Sequence, residues 1–151
     1  MVQQEAMLSG DNRDDYVLGR SVAEYDRLRH QAHVLEPATR RIFQSIGLRP
    51  GWSCLDVGCG PGEVMRLMGE IVGPSGEVTG LDRDGRAGRE AVKWLQALGT
   101  SRYRFIEANV ESVDEVGALL FDLTFARLAL LFIRDPAVSY THLTLPTNRE
   151  V

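Results

Sequence analysis

The densest chemistry in the 151-residue chain lies in Asp56-Val57-Gly58-Cys59-Gly60-Pro61-Gly62. A glycine-rich turn between a parallel strand and a helix exposes backbone N–H groups at the carboxyl edge of the sheet. It also lets a ligand reach the main chain without interference from a Cβ. A glycine triplet alone can be no more than a structural turn. Here a strand precedes it, a helix follows it, and an acidic residue, Asp82, ends the next strand, where it is placed to bind ribose hydroxyls.

Two side chains choose between nucleoside ligands. A dinucleotide fingerprint would continue G-x-G-x-x-G/A, but position 63 is Glu, too large for close helix–strand packing and repulsive toward a pyrophosphate. Asp56, just before the glycines, is also unwelcome near a pyrophosphate and helpful near a cation. The sulfonium and ammonium of S-adenosylmethionine supply that cation and bring no phosphate. The competing readings are an NAD-type oxidoreductase, disfavoured by Glu63 and Asp56, and a non-catalytic cofactor-binding fragment.

The pattern around the turn predicts the elements that hold it. Ser53 to Val57 reads as a short buried strand, and Gly58 to Gly62 as the turn. Val64, Leu67, Met68, Ile71 and Val72 recur at helical spacing up to Gly73, and Glu77 to Asp82 forms a second strand. Asp84 caps a helix whose apolar face is Ala87, Ala91, Trp94, Leu95 and Leu98, closed by Gly99. Tyr103 to Glu107 is a third strand. Ser112 and Glu115 offer a capping box for a helix through Leu119 or Leu120, and Phe121 to Ala126 is a fourth strand.

Ahead of this series, Ser21 and Glu24 form a capping box, with Val22, Tyr25, Leu28, Ala32 and Leu35 on one helical face. Pro37 then opens a second helix, with Ile42, Phe43 and Ile46 on one face and Gly47 as its end. Residues 1–48 are thus a helical lead-in. Alternation of strands and helices predicts an α/β fold, a doubly wound parallel sheet covered on both faces.

Composition is that of a globular protein, 44% hydrophobic and 25% charged. The longest apolar run, Leu128 to Ile133, is too short to span a bilayer, so no membrane partner is expected. Met1 to Gly10 has no basic stretch followed by an apolar one, so no signal peptide is expected, and two cysteines make no disulfide framework, so the expected location is cytoplasmic. A net charge of −4 argues against a nucleic-acid partner.

The stretches LDVGCGPG, GEVTGLDRD, FIEANVES and FDLTFARLALLFIRDP resemble the class I S-adenosylmethionine-dependent methyltransferases, chiefly the small-molecule and ubiquinone-pathway type. The likeness runs from about Tyr16 to Ala137. It implies a Rossmann-like sheet in the order 3-2-1-4 and S-adenosylmethionine as cofactor. By that likeness Gly58, Gly60 and Gly62 line the methionine portion and Asp56 orders the loop. Asp82 holds the ribose hydroxyls with Arg83 beside the adenine, Asn109 accepts from the adenine amino group, Val110 lies near the ring, and Arg127 borders the cofactor. The implied reaction is in-line methyl transfer to a small-molecule acceptor. Positioning and exclusion of water supply its acceleration, and no general base can be named.

Val138 to Thr147 is what GTC TCT TAT ACA CAT CTG ACG CTG CCG ACG encodes, a string that resembles a transposase adapter of library preparation. The tail 138–151 is therefore expected to be non-native, leaving 49–137 as a partial methyltransferase domain and setting His142 aside as a catalytic candidate. The alternative is a natural strand with Tyr140, His142 and Thr144 on one face. Without later strands, the fourth strand would form an exposed edge through which the chain self-associates. Of the remaining residues, Cys59 reads as a space-filler, His30 and His33 as solvated, and Trp52 and Trp94 as packing residues. Tyr16 and Tyr25 read as core rather than as a roof over the cofactor, Asp122 as structural, and Arg83, Arg86 and Arg89 as a solvated face.

Overall fold

The structure, a computed structural model, describes residues 21–110 and 120–129. The elements are α1 (Ser21–Ser45), β1 (Ser53–Val57), α2 (Glu63–Val72), β2 (Glu77–Asp82), α3 (Gly85–Leu98), β3 (Arg102–Glu107) and β4 (Leu123–Ala126). The four strands form one parallel sheet in the order β3-β2-β1-β4, with Val57 beside Leu81 and Ala126, and Asp82 beside Glu107. The fold is the parallel sheet that the alternating pattern predicts, in the Rossmann-like order that the resemblance implies, and the three described helices all pack on one face of it. Parallel strands all end at the same edge, so Gly58, Arg83, Ala108 and Arg127 leave the sheet together.

Side chains alternate across the sheet and sort into two apolar clusters. Cys54, Val78 and Tyr103 face one side, where Phe43 of α1, Met65 and Met68 of α2 and Leu95 of α3 pack on them. Leu55, Val57 and Leu81 face the other, against Ile106, Val110, Phe121 and Ala126. Phe43 and Phe125 meet edge to face with ring centroids 5.0 Å apart, which seats α1 over β4. The helix expected between Ser112 and Leu120, the tail 138–151 and Tyr16 lie outside the described residues.

The lead-in departs from expectation. Instead of two helices meeting at Pro37, α1 is continuous from Ser21 to Ser45 with Pro37 inside it. The ring removes the N–H that would bond to the carbonyl of residue 33. Pro37 and His33 are both exposed, so water can take that carbonyl, while buried Thr39 and Phe43 hold the next turn in register. The helix buries Ala32, Thr39 and Phe43, so Val22, Ile42 and Ile46 stand exposed rather than on the inner face. Leu98 is likewise exposed, at the last turn of α3, and β4 begins at Leu123 rather than at Phe121.

A charge network ties α1 to α2. Arg66 reaches Glu36 at 2.7 Å and Glu70 at 2.6 Å, and Arg40 reaches Glu36 at 2.8 Å and Glu70 at 2.6 Å. Glu63, where a dinucleotide fold needs a small residue nearby, opens α2 and pairs with Arg66 at 3.2 Å.

Candidate functional site

The turn after β1 is ordered by β2. Leu81 O accepts from Gly58 N at 2.7 Å and from Cys59 N at 3.1 Å. Asp82 Oδ2 accepts from Gly60 N at 2.9 Å, and Oδ1 accepts from Asp84 N, also at 2.9 Å. The carboxylate that sequence places on a ribose therefore also braces the glycine turn and the start of α3. Each of its oxygens retains a second lone pair for a ligand hydroxyl.

The glycines differ in what they face. All three have positive φ: 71° at Gly58, 48° at Gly60 and 85° at Gly62. At Gly60 an added Cβ would meet nothing within 4 Å, so this is where the main chain lies open to a ligand. At Gly58 a Cβ would stand 2.6 Å from the Cβ of Ala129, the segment that follows β4. Gly62 is buried, and its Cβ would stand 2.9 Å from that of Ala91 on α3. The structure thus places Gly62 where the turn meets α3.

Asp56 lies on the helix-covered face of β1, only 2% exposed, and its Oδ2 has no hydrogen-bond partner. Burial pushes its carboxyl up to about 8, against the pull of Arg127 and with Asp82 adding to the rise. The site thus favours the neutral carboxyl over the carboxylate. The hydrogen bonds that tie the turn to β2 come from Leu81 and Asp82.

The other candidates gather at the same edge. Arg83 is exposed immediately after Asp82. Asn109 is exposed beyond β3, and half-buried Val110 packs on the cluster of Leu55, Val57 and Leu81. Arg127, half-buried at the end of β4, donates to Thr39 Oγ1 of α1 at 3.0 Å. Leu128 beside it has φ 62°, an uncommon conformation for a branched side chain.

Two residues read from sequence as packing do more. Tyr25 is half-buried, and its hydroxyl donates to Asp84 Oδ2 at 2.9 Å, so it bridges α1 to the start of α3 instead of filling the core. Trp94 Nε1 donates to Pro61 O at 3.1 Å, inside the turn itself. The capping role of Asp84 was legible, for its Oδ1 accepts from Ala87 N at 3.0 Å. Tyr25 and Trp94 carry no local signal of these partners.

The remaining sequence candidates keep their bland roles. Cys59 is buried and its thiol is pushed up by burial, so it is no thiolate nucleophile. Asp122 Oδ2 accepts from Ser53 N at 2.8 Å and so fixes β4 against β1. His30 and His33 are exposed, and among the described residues no group of His, Cys, Asp and Glu could hold a metal. Arg89 pairs with Glu107 at 2.6 Å, while Arg86 is exposed. No helix among the described residues is long and apolar enough to cross a membrane.

A family model described as a methyltransferase domain matches residues 48–145. The ribosomal RNA small subunit methyltransferase H of Solidesulfovibrio magneticus is 37% identical over 102 residues, covering 60% of this chain and 31% of that protein. The demethylmenaquinone methyltransferase of Staphylococcus aureus is 44% identical over 43 residues, covering 28% of this chain and 18% of that protein. The crystal structure of a SAM dependent methyltransferase from Aquifex aeolicus superposes with TM-score 0.61 at 20% identity, over 72% of this chain and 57% of that one. The chain therefore spans about a third or less of the two curated relatives. The family match disfavours the nicotinamide alternative.

Proposed function

The chain belongs to the methyltransferase-domain family, and from that premise we propose that it binds S-adenosylmethionine at the Gly58–Gly62 turn and Asp82 and serves methyl transfer to a small-molecule acceptor. The observation that carries the reading is the bond from Gly60 N to Asp82 Oδ2, at the one turn glycine with open space beside it. It joins the two halves expected of a nucleoside site at a single edge of the sheet.

The residues present fit the cofactor. Gly60 leaves room for the methionine portion, and the free lone pairs of Asp82 suit a ribose diol. Asp56 keeps an unpartnered carboxylate oxygen behind the turn. Val110 offers an apolar surface to the adenine, the Asn109 side-chain carbonyl suits the adenine amino group, and Arg83 and Arg127 flank the two ends. When bound, S-adenosylmethionine supplies a methyl group already activated on a sulfonium. The work left to this chain is to orient it and keep water away.

The acidic balance, net charge −4, supports a small acceptor over a polyanion. A nucleic-acid acceptor is the second reading, favoured by the identity to a ribosomal RNA methyltransferase. Calorimetry with S-adenosylmethionine, NAD and a short RNA separates these readings. The expected result is saturable binding of S-adenosylmethionine alone. Binding of NAD in its place overturns the cofactor, and salt-dependent RNA binding overturns the small acceptor.

A further inference from the structure

We infer that Trp94 is a positioning residue for the cofactor turn, an assignment that rests on the proposed binding of S-adenosylmethionine there. The Pro61–Gly62 peptide is held at both ends. Its carbonyl accepts from Trp94 Nε1 at 3.1 Å, and its N–H donates to Cys59 O at 2.9 Å. Gly62 then presses on Ala91, one turn before Trp94 on the same helix. Thus β2 fixes the entrance of the turn through Leu81 and Asp82, and α3 fixes its exit through Trp94.

A hydrophobic side chain at position 94 would cover the same apolar surface, but a donor there adds a second restraint on this peptide plane, beside the bond from Gly62 N to Cys59 O. The φ of 85° at Gly62 is set together with that orientation. Rotation of the plane would break the bond from Gly62 N to Cys59 O that closes the turn around Gly60. The indole is itself half-buried against the turn, so its emission should respond when the turn is occupied. Trp52, the other tryptophan, precedes β1 at the opposite edge of the sheet and packs on the core.

The test uses the whole chain and three proteins: wild type, Trp52→Phe and Trp94→Phe. Titration of Trp52→Phe with S-adenosylmethionine should give a saturable change in Trp94 emission, with the Kd that calorimetry finds for wild type. Trp94→Phe should keep the far-ultraviolet spectrum and bind about 2- to 10-fold more weakly, as for loss of one neutral hydrogen bond. Equal calorimetric affinity in Trp94→Phe, with wild type binding normally, overturns the positioning role and leaves the cofactor reading intact. Absence of binding by wild type overturns both. Should Trp94→Phe fail to fold, the Trp52→Phe titration decides: an unchanged Trp94 emission at saturation overturns the inference.

Discussion

The phenol of Tyr25 donates to Asp84 Oδ2 at 2.9 Å, across 59 residues of sequence. Asp84 N donates in turn to Asp82 Oδ1, and Asp82 Oδ2 accepts from Gly60 N, each at 2.9 Å. The lead-in helix is therefore linked through two carboxylates to the glycine turn. What α1 does at Tyr25 is felt at the position proposed for the ribose.

Burial first, and the bond to Asp84 second, push the Tyr25 phenol from 10.0 up to about 12. A folded pKa above the unfolded one gives stability that is full below pH 10.0 and lost as pH rises toward 12. Tyr25→Phe should therefore lose about 0.5–1.5 kcal/mol below pH 10 and lack this alkaline decline. Urea midpoints of the two proteins between pH 8 and about 12 check it. Parallel pH profiles would count against the bridge.

Asp56 acts with the same sign at lower pH. Its carboxyl rises from 3.8 to about 8, so the stability linked to its neutral form is full in acid and falls as pH climbs through 8. Asp56→Asn, which cannot ionise, should flatten that fall and match or exceed wild type above pH 8. The measurement is the denaturant midpoint at acid and at mildly alkaline pH. A wild type that gains stability across this range relative to Asp56→Asn refutes the burial argument.

Asp82→Ala should weaken S-adenosylmethionine by roughly 1.5–3 kcal/mol, as for loss of hydrogen bonds to a charged group. The same change frees the N–H groups of Gly60 and Asp84, so the melting temperature should fall as well. Calorimetry below the melting transition separates the two effects. Wild-type affinity in a folded variant removes Asp82 from the site.

The glycines of the turn should respond differently to the same substitution. Gly58→Val meets Ala129 at a distance no real Cβ accepts, so both fold stability and binding should suffer. Gly60→Val places its Cβ where no protein atom beyond its chain neighbours lies within 4 Å and bears a backbone penalty at φ 48° of about 1–2 kcal/mol. It should fold and fail to bind. Thermal melts beside calorimetry read this out, and retained affinity in Gly60→Val would show that the open side is not the ligand's side.

Short-range physics made much of this protein legible in its sequence. Ser53–Val57 and Glu77–Asp82 are strands at the limits the pattern predicts, because each is a short buried segment bounded by turn residues. The cap at Asp84 and the helix ends at Gly73 and Gly99 follow from side-chain acceptors and left-handed glycine chemistry acting within a few residues. The glycine turn and its acidic partner were legible for the same reason: each sits at the end of a strand. Tertiary structure decided what lies across longer separations. It carried α1 through Pro37, because exposure made the lost bond cheap and the buried Phe43 held the next turns. It turned Gly62 against α3, brought Tyr25 to Asp84 and Trp94 to Pro61, and buried Asp56 deeply enough to favour its neutral form. Those outcomes depend on which helix lands on which face of the sheet, and neither local periodicity nor turn chemistry specifies that.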